Sequence, residues 1–320
     1  MKLNLVRNNT FDNQIVIVDG QGRSGKNLIS ISLTAIKKME KMRLDSFMDY
    51  IPRLYYLKKL SPDAAVVCLK LLADQAYYYS SISRDVNFRP ADYSSVTKQA
   101  FKFKYIKRLF QNADEDAVQR LKIEKPILQE MTHDAIGMAD IFFEAFGDRL
   151  KFIHVLRDPV GNIFEQNKRG FGERYGVDPR ELQLSFEYKN LDIPIQAIDY
   201  EQLWIDGSPL EKLLINVNAM YRKNYKGYAS LDKKYKDKVL LVDFDKFILD
   251  PYPYLSDIEI FLEENFTRKI KGILRRENCP RVIAESQRQE RISSILEKIR
   301  TNYQEIFLKL IDDYDKNEWS

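Results

Sequence analysis

The feature that most constrains this sequence is a glycine-rich segment near its N-terminus, Gly20–Lys26, which reads GQGRSGK. A run of apolar β-branched residues, Ile15–Val18, precedes it and is typical of a buried parallel strand. Beyond it, residues 28–36 place apolar side chains at the spacing of one helix face. In this order of strand, glycine-rich turn and helix, the free backbone amides of the turn and the N-terminus of the helix face the same point at the end of the strand. The segment therefore predicts an anion-binding site.

The residues of this segment favour a phosphate-like ligand. Glycines allow the backbone to close around phosphate oxygens, and Arg23 and Lys26 add positive charge. Gly20–Lys26 satisfies the phosphate-loop pattern G-x-x-x-x-G-K-[ST] as far as its lysine, but Asn27 stands where the pattern has the hydroxyl residue that binds Mg²⁺. The sequence thus predicts binding of a phosphate-like group more strongly than chemistry on a Mg²⁺-nucleotide.

Length and charge limit the classes of protein that remain. A chain of 320 residues can bury a full core, and we expect one α/β domain over residues 1–320. A formal net charge of +4 does not favour a nucleic-acid partner or a membrane protein as a whole, so that only local basic clusters matter. The N-terminus lacks the apolar region of a signal peptide, and no run of about 18 apolar residues predicts a membrane span.

The cysteines and histidines of the sequence indicate the cellular compartment of the protein and whether it can hold a metal site. Cys68 and Cys279 are far apart and fit neither a disulfide framework nor a metal knuckle, which favours a reducing, cytoplasmic location. His133 and His154 are the only histidines, so we do not expect a zinc site built on histidine.

The rest of the chain alternates predicted strands and helices. A helical insertion occupies about residues 40–125, and an irregular loop insertion, of the kind that forms a lid, occupies about residues 166–200. Alternating elements predict a three-layer α/β fold with a central, mostly parallel sheet flanked by helices, like that of P-loop proteins. The expected elements after the first helix are a strand at 125–133, a helix at 134–146 capped by Asp134, a strand at 152–156, a helix near 210–229, a strand at 238–244, a helix ending near 262 and a final helix through 311.

Three candidate functional residues stand just beyond predicted strand ends: Arg23, His133 and Arg157. Ligands of open parallel sheets bind at the carboxyl ends of the strands, so these side chains are expected to meet at one site. Arg157 can bind a phosphate there, or it can simply pair with Asp158 or Glu165. His154 lies inside an apolar strand, where a hydrogen-bonded core histidine is expected.

Two other features concern surfaces. Residues 40–125 are rich in aromatic side chains, which fill a core or line an acceptor pocket. The lysine-rich stretch Lys102–Arg108 is expected to be a solvated helix face.

Four segments, in order, resemble the sulfotransferases that use 3′-phosphoadenosine 5′-phosphosulfate (PAPS) as donor. Gly22–Leu28 resembles the family's 5′-phosphosulfate loop, P-[RK]-S-G-T-T, with Arg23 in the basic place and Lys26 and Asn27 where threonines are usual. Thr132-His133 resembles the catalytic-base position. Val155–Pro159 resembles the R-[DN]-P segment, whose arginine binds the 3′-phosphate, and Val242–Pro251 resembles Y-E-D-L-x-x-D-P.

The resemblance implies a set of roles for these residues. It implies transfer of a sulfuryl group from PAPS to a hydroxyl-bearing acceptor, with no metal, His133 as general base and Arg23 and Lys26 stabilising the leaving phosphate. The residues implied to bind the donor are Gly22, Arg23, Ser24, Gly25, Lys26, Asn27 and Arg157.

The chain departs from the family pattern at two places. Glu165 stands where a serine usually contacts the 3′-phosphate, and a carboxylate there repels a phosphate unless it turns away or a cation compensates. The late Arg-Lys-Gly phosphate segment has only Arg268-Lys269 and Lys271-Gly272 as distant counterparts.

The sequence is compatible with two other functions. The intact Gly20–Lys26 pattern and a Walker-B-like strand ending in Asp243 are compatible with a P-loop kinase or NTPase that uses Mg-ATP. Glu165 is compatible with a sulfotransferase-like binding protein that has lost catalysis. The sequence does not identify the acceptor, which can be a glycan, a lipid or a small molecule.

Overall fold

A four-stranded parallel sheet organises the computed structural model of this chain, which describes residues 3–282 and 286–316. In chain order the strands are β1 (Ile15–Asp19), β2 (Leu128–Met131), β3 (Leu150–Leu156), β4 (Ser185–Tyr188), β5 (Leu191–Pro194) and β6 (Val239–Asp243). The parallel sheet has the order β2-β1-β3-β6, whereas β4 and β5 form a separate antiparallel hairpin. Because the four strands are parallel, their carboxyl ends lie along one edge.

Helices cover both faces of this sheet. In chain order, the α-helices of the described residues are α1 (Lys26–Leu33), α2 (Ser46–Tyr56), α3 (Pro62–Ser81), α4 (Lys102–Arg108), α5 (Asp114–Glu124), α6 (Ala139–Phe146), α7 (Pro159–Asn167), α8 (Glu201–Asp206), α9 (Pro209–Ser230), α10 (Lys233–Lys236), α11 (Phe244–Phe247), α12 (Pro251–Leu262), α13 (Ile270–Arg276), α14 (Ser286–Leu296) and α15 (Thr301–Lys316). Among the described residues, none of these helices is long and apolar enough to cross a membrane.

The alternation of side chains in β1 explains the three layers. Val16 and Val18 face a core that includes residues of α1, α12 and α13, whereas Ile15 and Ile17 face a second core formed with α2, α3 and α6. A strand covered on both sides needs apolar residues at every position, which is why β1 reads as a continuous apolar run. The predicted three-layer α/β fold with a central parallel sheet is confirmed.

The two segments expected to be insertions contain regular elements. The segment from about 40 to 125 contains α2 to α5, and the segment from about 166 to 200 contains the β4–β5 hairpin in addition to irregular loops. The final helix predicted through residue 311 is two helices, α14 and α15.

The predicted cap of the helix after β2 is wrong. This helix begins with a 3₁₀ turn, Ala135–Met138, and the Asp134 side chain does not cap it. Instead the buried Asp134 carboxylate accepts hydrogen bonds from Arg53 and Lys223, at 2.7 and 3.2 Å. The buried Arg53 and the partly exposed Lys223 are cations and offer this carboxylate stronger partners than a backbone amide does.

The stretch Lys102–Arg108 is only partly the solvated face expected from its lysines. Tyr105 and Arg108 are buried and hydrogen-bond the buried Glu40. Lys104 also contacts Glu40, at 3.3 Å. The side of α4 that faces the protein is therefore its polar side.

Candidate active site

The glycine-rich loop connects β1 to α1 at the carboxyl edge of the sheet, as its sequence predicts. Gly25, with a φ of 94°, ends the loop, and a Cβ at this position would lie 2.0 Å from Phe244 Cδ2. Only glycine meets both the positive φ and the close approach of the ring. Arg23 also has a positive φ, 65°, so the loop is tightly curled around its own amides.

The start of α1 is open to an anion. The helix begins at Lys26, and within the described residues no side chain caps its N-terminus. The first amides of any helix lack intrahelical acceptors and carry the positive end of the helix dipole. Arg23 Nε is also buried, with no hydrogen-bond partner among the described residues. The loop thus presents several unpaired donors.

Ser24 differs from the other loop residues predicted to bind the donor. Its amide donates to Gln21 O at 3.0 Å, and its side chain is buried. The side chain lines a small cavity of about 30 Å³ together with His154, Asn162 and Asn224. The structure therefore places the Ser24 hydroxyl away from the main cleft.

Contacts from neighbouring elements hold the loop in position. Gly22 O accepts hydrogen bonds from Asn162 Nδ2 at 2.9 Å and from Gln166 Nε2 at 3.0 Å, both on α7. Arg157 Nη1, at the end of β3, donates to Arg23 O at 2.5 Å. These bonds to loop carbonyls preorganise the amides that face the ligand.

His133 follows β2 and is oriented by Asp49 of α2. Its Nδ1 lies 2.7 Å from Asp49 Oδ2, and its backbone amide donates to Asp49 Oδ1 at 2.9 Å. Asp49 is 4% exposed, whereas the His133 side chain is 34% exposed. A carboxylate at Nδ1 keeps the proton on that nitrogen in the neutral ring, so that Nε2 remains a hydrogen-bond acceptor.

Lys26 connects the loop to the strand end that carries His133. Its Nζ donates to Gly20 O at 2.7 Å and to Thr132 O at 2.5 Å. Burial lowers the pKa of Lys26 to about 8, against the opposing effect of Asp49 and other nearby carboxylates. The ammonium therefore lies beside the cleft and bridges two of its walls.

Arg157 projects from the end of β3 into a second cationic region. Its Nε is buried without a hydrogen-bond partner among the described residues, and the nearest carboxylate oxygen in an ion pair, Asp245 Oδ1, is 4.0 Å away. A Cβ at Gly161 would lie 3.5 Å from both Arg157 Nε and Arg291 Nη1. The two guanidinium groups thus converge over the first turn of α7, where the absence of a side chain leaves room.

These features meet in one cleft of about 1320 Å³. Among the predicted site residues, its lining includes Gly22, Arg23, Gly25, Lys26, Asn27, His133 and Arg157. Burial lowers the pKa of both Arg23 and Arg157, and the charge of Glu165, which also lines the cleft, opposes this shift. The structure thus brings together every predicted site residue except the side chain of Ser24.

Two important residues are missed by the sequence reasoning. Asp49 lies in a helical segment with no motif that links it to His133. Arg291, on α14, lines the cleft, whereas the stretch Arg268–Gly272, the distant counterpart of the late phosphate segment, does not. Only the general basic character of the C-terminal region hints at Arg291.

Asp19, at the end of β1, organises the strand ends behind the cleft. Its buried carboxylate accepts hydrogen bonds from Thr132 Oγ1 at 2.7 Å and from the amides of Ala135 and Ile136, and it contacts His154 Nδ1 at 2.9 Å. Burial alone raises the pKa of Asp19, but His154 and Thr132 overcome this and lower the pKa to about 2. His154 is buried, as predicted, and it acts within this network.

Comparison with known proteins gives likenesses in structure alone. No protein-family model and no curated protein sequence matches the chain. The sulfotransferase domain of the olefin synthase from Synechococcus PCC 7002 aligns with 96% of this chain and 96% of its own, at a TM-score of 0.44 and 13% identity. A sulfotransferase from Alicyclobacillus acidocaldarius aligns over 96% and 97% of the two chains, at a TM-score of 0.37 and 15% identity.

A sulfotransferase from Mycobacterium avium aligns over 91% of this chain and 77% of its own, at a TM-score of 0.40 and 12% identity. All three neighbours are sulfotransferases, the family that the sequence resembles. At these identities and TM-scores, the likeness assigns no function to this chain.

Proposed function

We propose that this protein transfers a sulfuryl group from PAPS to a hydroxyl-bearing acceptor, with His133 as general base. One observation carries the proposal: the open start of α1, the Asp49-oriented His133 and the Arg157–Arg291 pair all line a single cleft. The two cationic regions suit a donor that has phosphate groups at both ends, and His133 places a base near the acceptor hydroxyl.

The residues present fit a doubly anionic donor. The loop Gly22–Asn27 offers amides and the unpaired Arg23 Nε to a 5′-phosphosulfate, and Arg157 and Arg291 offer guanidinium groups to a 3′-phosphate. A buried guanidinium N–H group without a hydrogen-bond partner, such as Nε of Arg23 or of Arg157, is costly, and an anionic ligand would remove that cost. Arg291 also answers the difficulty raised by Glu165, because it adds a cation next to the arginine that the carboxylate partly neutralises.

The chemistry assigned to the chain is proton removal and charge stabilisation. PAPS supplies a sulfuryl group on a good phosphate leaving group. His133 Nε2 accepts the proton of the acceptor hydroxyl as this oxygen attacks, and Asp49 stabilises the imidazolium that forms. Arg23, Lys26 and the loop amides stabilise the negative charge that develops on the leaving phosphate. By analogy with other preorganised donors, removing one of them costs about 3 kcal/mol.

The kinase alternative receives less support from the same cleft. Asn27 cannot supply the hydroxyl that binds Mg²⁺ in a P-loop enzyme. Asp243, the Walker-B candidate, accepts a hydrogen bond from the amide of Lys246 and pairs with its ammonium at 3.3 Å. Its carboxylate is thus occupied by a helix cap and an ion pair.

Thermal shifts with 3′-phosphoadenosine 5′-phosphate (PAP) and with Mg-ATP test the proposed donor class. A ligand at about a hundred times its dissociation constant stabilises the folded state by about 2.7 kcal/mol, which shifts the midpoint measurably. We expect stabilisation by PAP without added metal. A response to Mg-ATP alone would overturn the proposal in favour of a kinase or NTPase.

Turnover of His133→Ala tests the base separately from donor binding. We expect the variant to bind PAP like the parent protein and to lose about 10²- to 10⁴-fold in transfer of labelled sulfate from PAPS to hydroxyl acceptors. Undiminished turnover would refute the role of His133. A parent protein that binds PAP but transfers to no hydroxyl acceptor of a broad panel would favour the non-catalytic binding protein.

A further inference from the structure

Helix α4 has an unusual distribution of polar and apolar side chains. Its polar residues face the protein, where Arg108 binds both Glu40 carboxylate oxygens at 2.8 and 3.0 Å. Its apolar residues face outward: Phe103 is 72% exposed and Phe110, just beyond the helix end, is 85% exposed. A surface helix normally has the reverse arrangement, with its apolar side against the core.

The exposed apolar side chains form a stripe with basic edges. Phe103, Ile106 and Phe110 are spaced by three and four residues, and therefore lie on one side of the helical turns. At 100° per residue, Lys102 falls on one flank of this stripe and Lys107 on the other, and both are exposed. We refer to Lys102, Phe103, Ile106, Lys107 and Phe110 as the α4 face.

Two stretches of sequence next to the α4 face contain no acidic residues, although Asp114, Glu115 and Asp116 follow the first stretch and Glu124 Oε2 lies 3.7 Å from Arg108 Nη2. Residues 93–113 and 265–276 contain no Asp or Glu, and each stretch contains five Lys or Arg residues. The two stretches meet in space, because Lys269 Nζ lies 5.1 Å from the Phe101 ring centroid and Arg276 Nη1 donates to Lys98 O at 2.6 Å. An apolar stripe thus adjoins a surface enriched in positive charge.

We infer that the α4 face binds the surface of an anionic lipid bilayer. Aromatic and aliphatic side chains flanked by lysines match a bilayer interface, where apolar groups enter the acyl boundary and lysines contact lipid phosphates. A nucleic acid would use the lysines and the two phenylalanines but would leave Ile106 without a matching surface. The Glu40 anchor holds the face rigid, so little ordering cost opposes binding.

Binding of the α4 face to a bilayer does not depend on the proposed sulfuryl transfer. The two acid-free stretches border the cleft, since Tyr93, at the start of one, hydrogen-bonds Glu277, next to the end of the other, and both residues line the cleft. Docking at the α4 face would therefore hold the cleft near the lipid surface, whatever reaction takes place in it.

Co-sedimentation of the full chain with lipid vesicles tests this inference. The probes are vesicles of phosphatidylcholine alone and vesicles that also contain phosphatidylglycerol, each at low and high salt. We expect binding only to the phosphatidylglycerol vesicles, weakened by salt because the charges are exposed. In Phe103→Ser/Phe110→Ser, the partition coefficient should fall at least about tenfold, because two apolar side chains leave the interface.

Charge variants and matched controls complete the test. Lys102→Gln and Lys107→Gln should each lower binding about fivefold. Ile260→Ser, which removes an apolar side chain that is 75% exposed on α12, and Lys309→Gln, on α15, should bind like the parent protein. All of these positions are exposed, so the variants should fold.

Three outcomes would overturn the inference. The first is equal binding by the phenylalanine double variant and the parent protein. The second is binding of single-stranded DNA, but not of vesicles, through the same lysines. The third is a parent protein that ignores vesicles and self-associates until Phe103 and Phe110 are replaced, which would assign the α4 face to a second copy of the chain.

Discussion

Replacing Asp49 with Asn tests whether His133 is prepared as a base. In the structure, Asp49 accepts from the amide of His133 and contacts its Nδ1 at 2.7 Å. An asparagine of the same shape can keep the first bond, but its NH₂ group would face Nδ1 and donate to it. The neutral ring would then carry its proton on Nε2, where it can no longer accept one from the acceptor.

The expected loss of turnover follows from this change of tautomer at His133. Losing general-base catalysis costs about 10²- to 10⁴-fold in turnover, and we expect Asp49→Asn to fall within that range. PAP binding should be retained, because Asp49 does not line the cleft. The unfolding free energy should fall by about 1–3 kcal/mol, the usual cost of a lost charge-assisted hydrogen bond at a buried site.

The double variant Asp49→Asn/His133→Ala separates positioning from other effects. If Asp49 acts through His133, adding Asp49→Asn to His133→Ala should reduce transfer of labelled sulfate little further. An equal loss of turnover from Asp49→Asn in both backgrounds would show that Asp49 does not act through His133. A folded and fully active Asp49→Asn variant would show the same.

Three further variants probe the loop, the strand ends and the second anion region. Gly25→Ala should lower the free energy of unfolding by about 2–5 kcal/mol, because the new Cβ clashes with Phe244 and the residue has a positive φ, and the urea midpoint should fall accordingly. The control Gly176→Ala, which has a positive φ but open space around it, should lose only the part that is due to backbone strain. Because the pKa of Asp19 is lowered from 3.8 to about 2, the carboxylate stabilises the folded state by about 2 kcal/mol above pH 3.8, and this stabilisation is lost as the pH falls to about 2. The difference in unfolding free energy between the parent protein and Asp19→Asn should therefore shrink between these two pH values. A constant difference would contradict the low pKa of Asp19. Glu165→Gln should tighten PAP binding about five- to tenfold in calorimetry, and unchanged affinity would place the 3′-phosphate elsewhere.

The fold and the loop were predictable because their signals are local. β1 is an uninterrupted apolar run since both of its faces are covered, and Gly25 is required by the backbone geometry at its own position. The meeting of Arg23, His133 and Arg157 followed from a general property of parallel sheets, namely that strand carboxyl ends share one edge.

The side-chain contacts that orient the site residues were not predictable from the sequence, because they depend on tertiary packing. Asp49 precedes His133 by more than eighty residues, and only the packing of α2 against the end of β2 brings them together. Asp134 is a good capping residue by type, yet its carboxylate accepts hydrogen bonds from Arg53 and Lys223 instead. The exposed apolar side of α4 was missed for the same reason, since its lysines dominate the sequence pattern while buried Glu40 fixes its orientation.

A crystal structure of the protein with PAP tests the central claim most directly. We expect the 5′-phosphate at the start of α1, in contact with the loop amides and Arg23, and the 3′-phosphate between Arg157 and Arg291, with His133 Nε2 facing the open space beside the 5′-phosphate. PAP bound outside this cleft, or bound with its phosphates away from both cationic regions, would contradict the claim that one cleft holds the donor and the base.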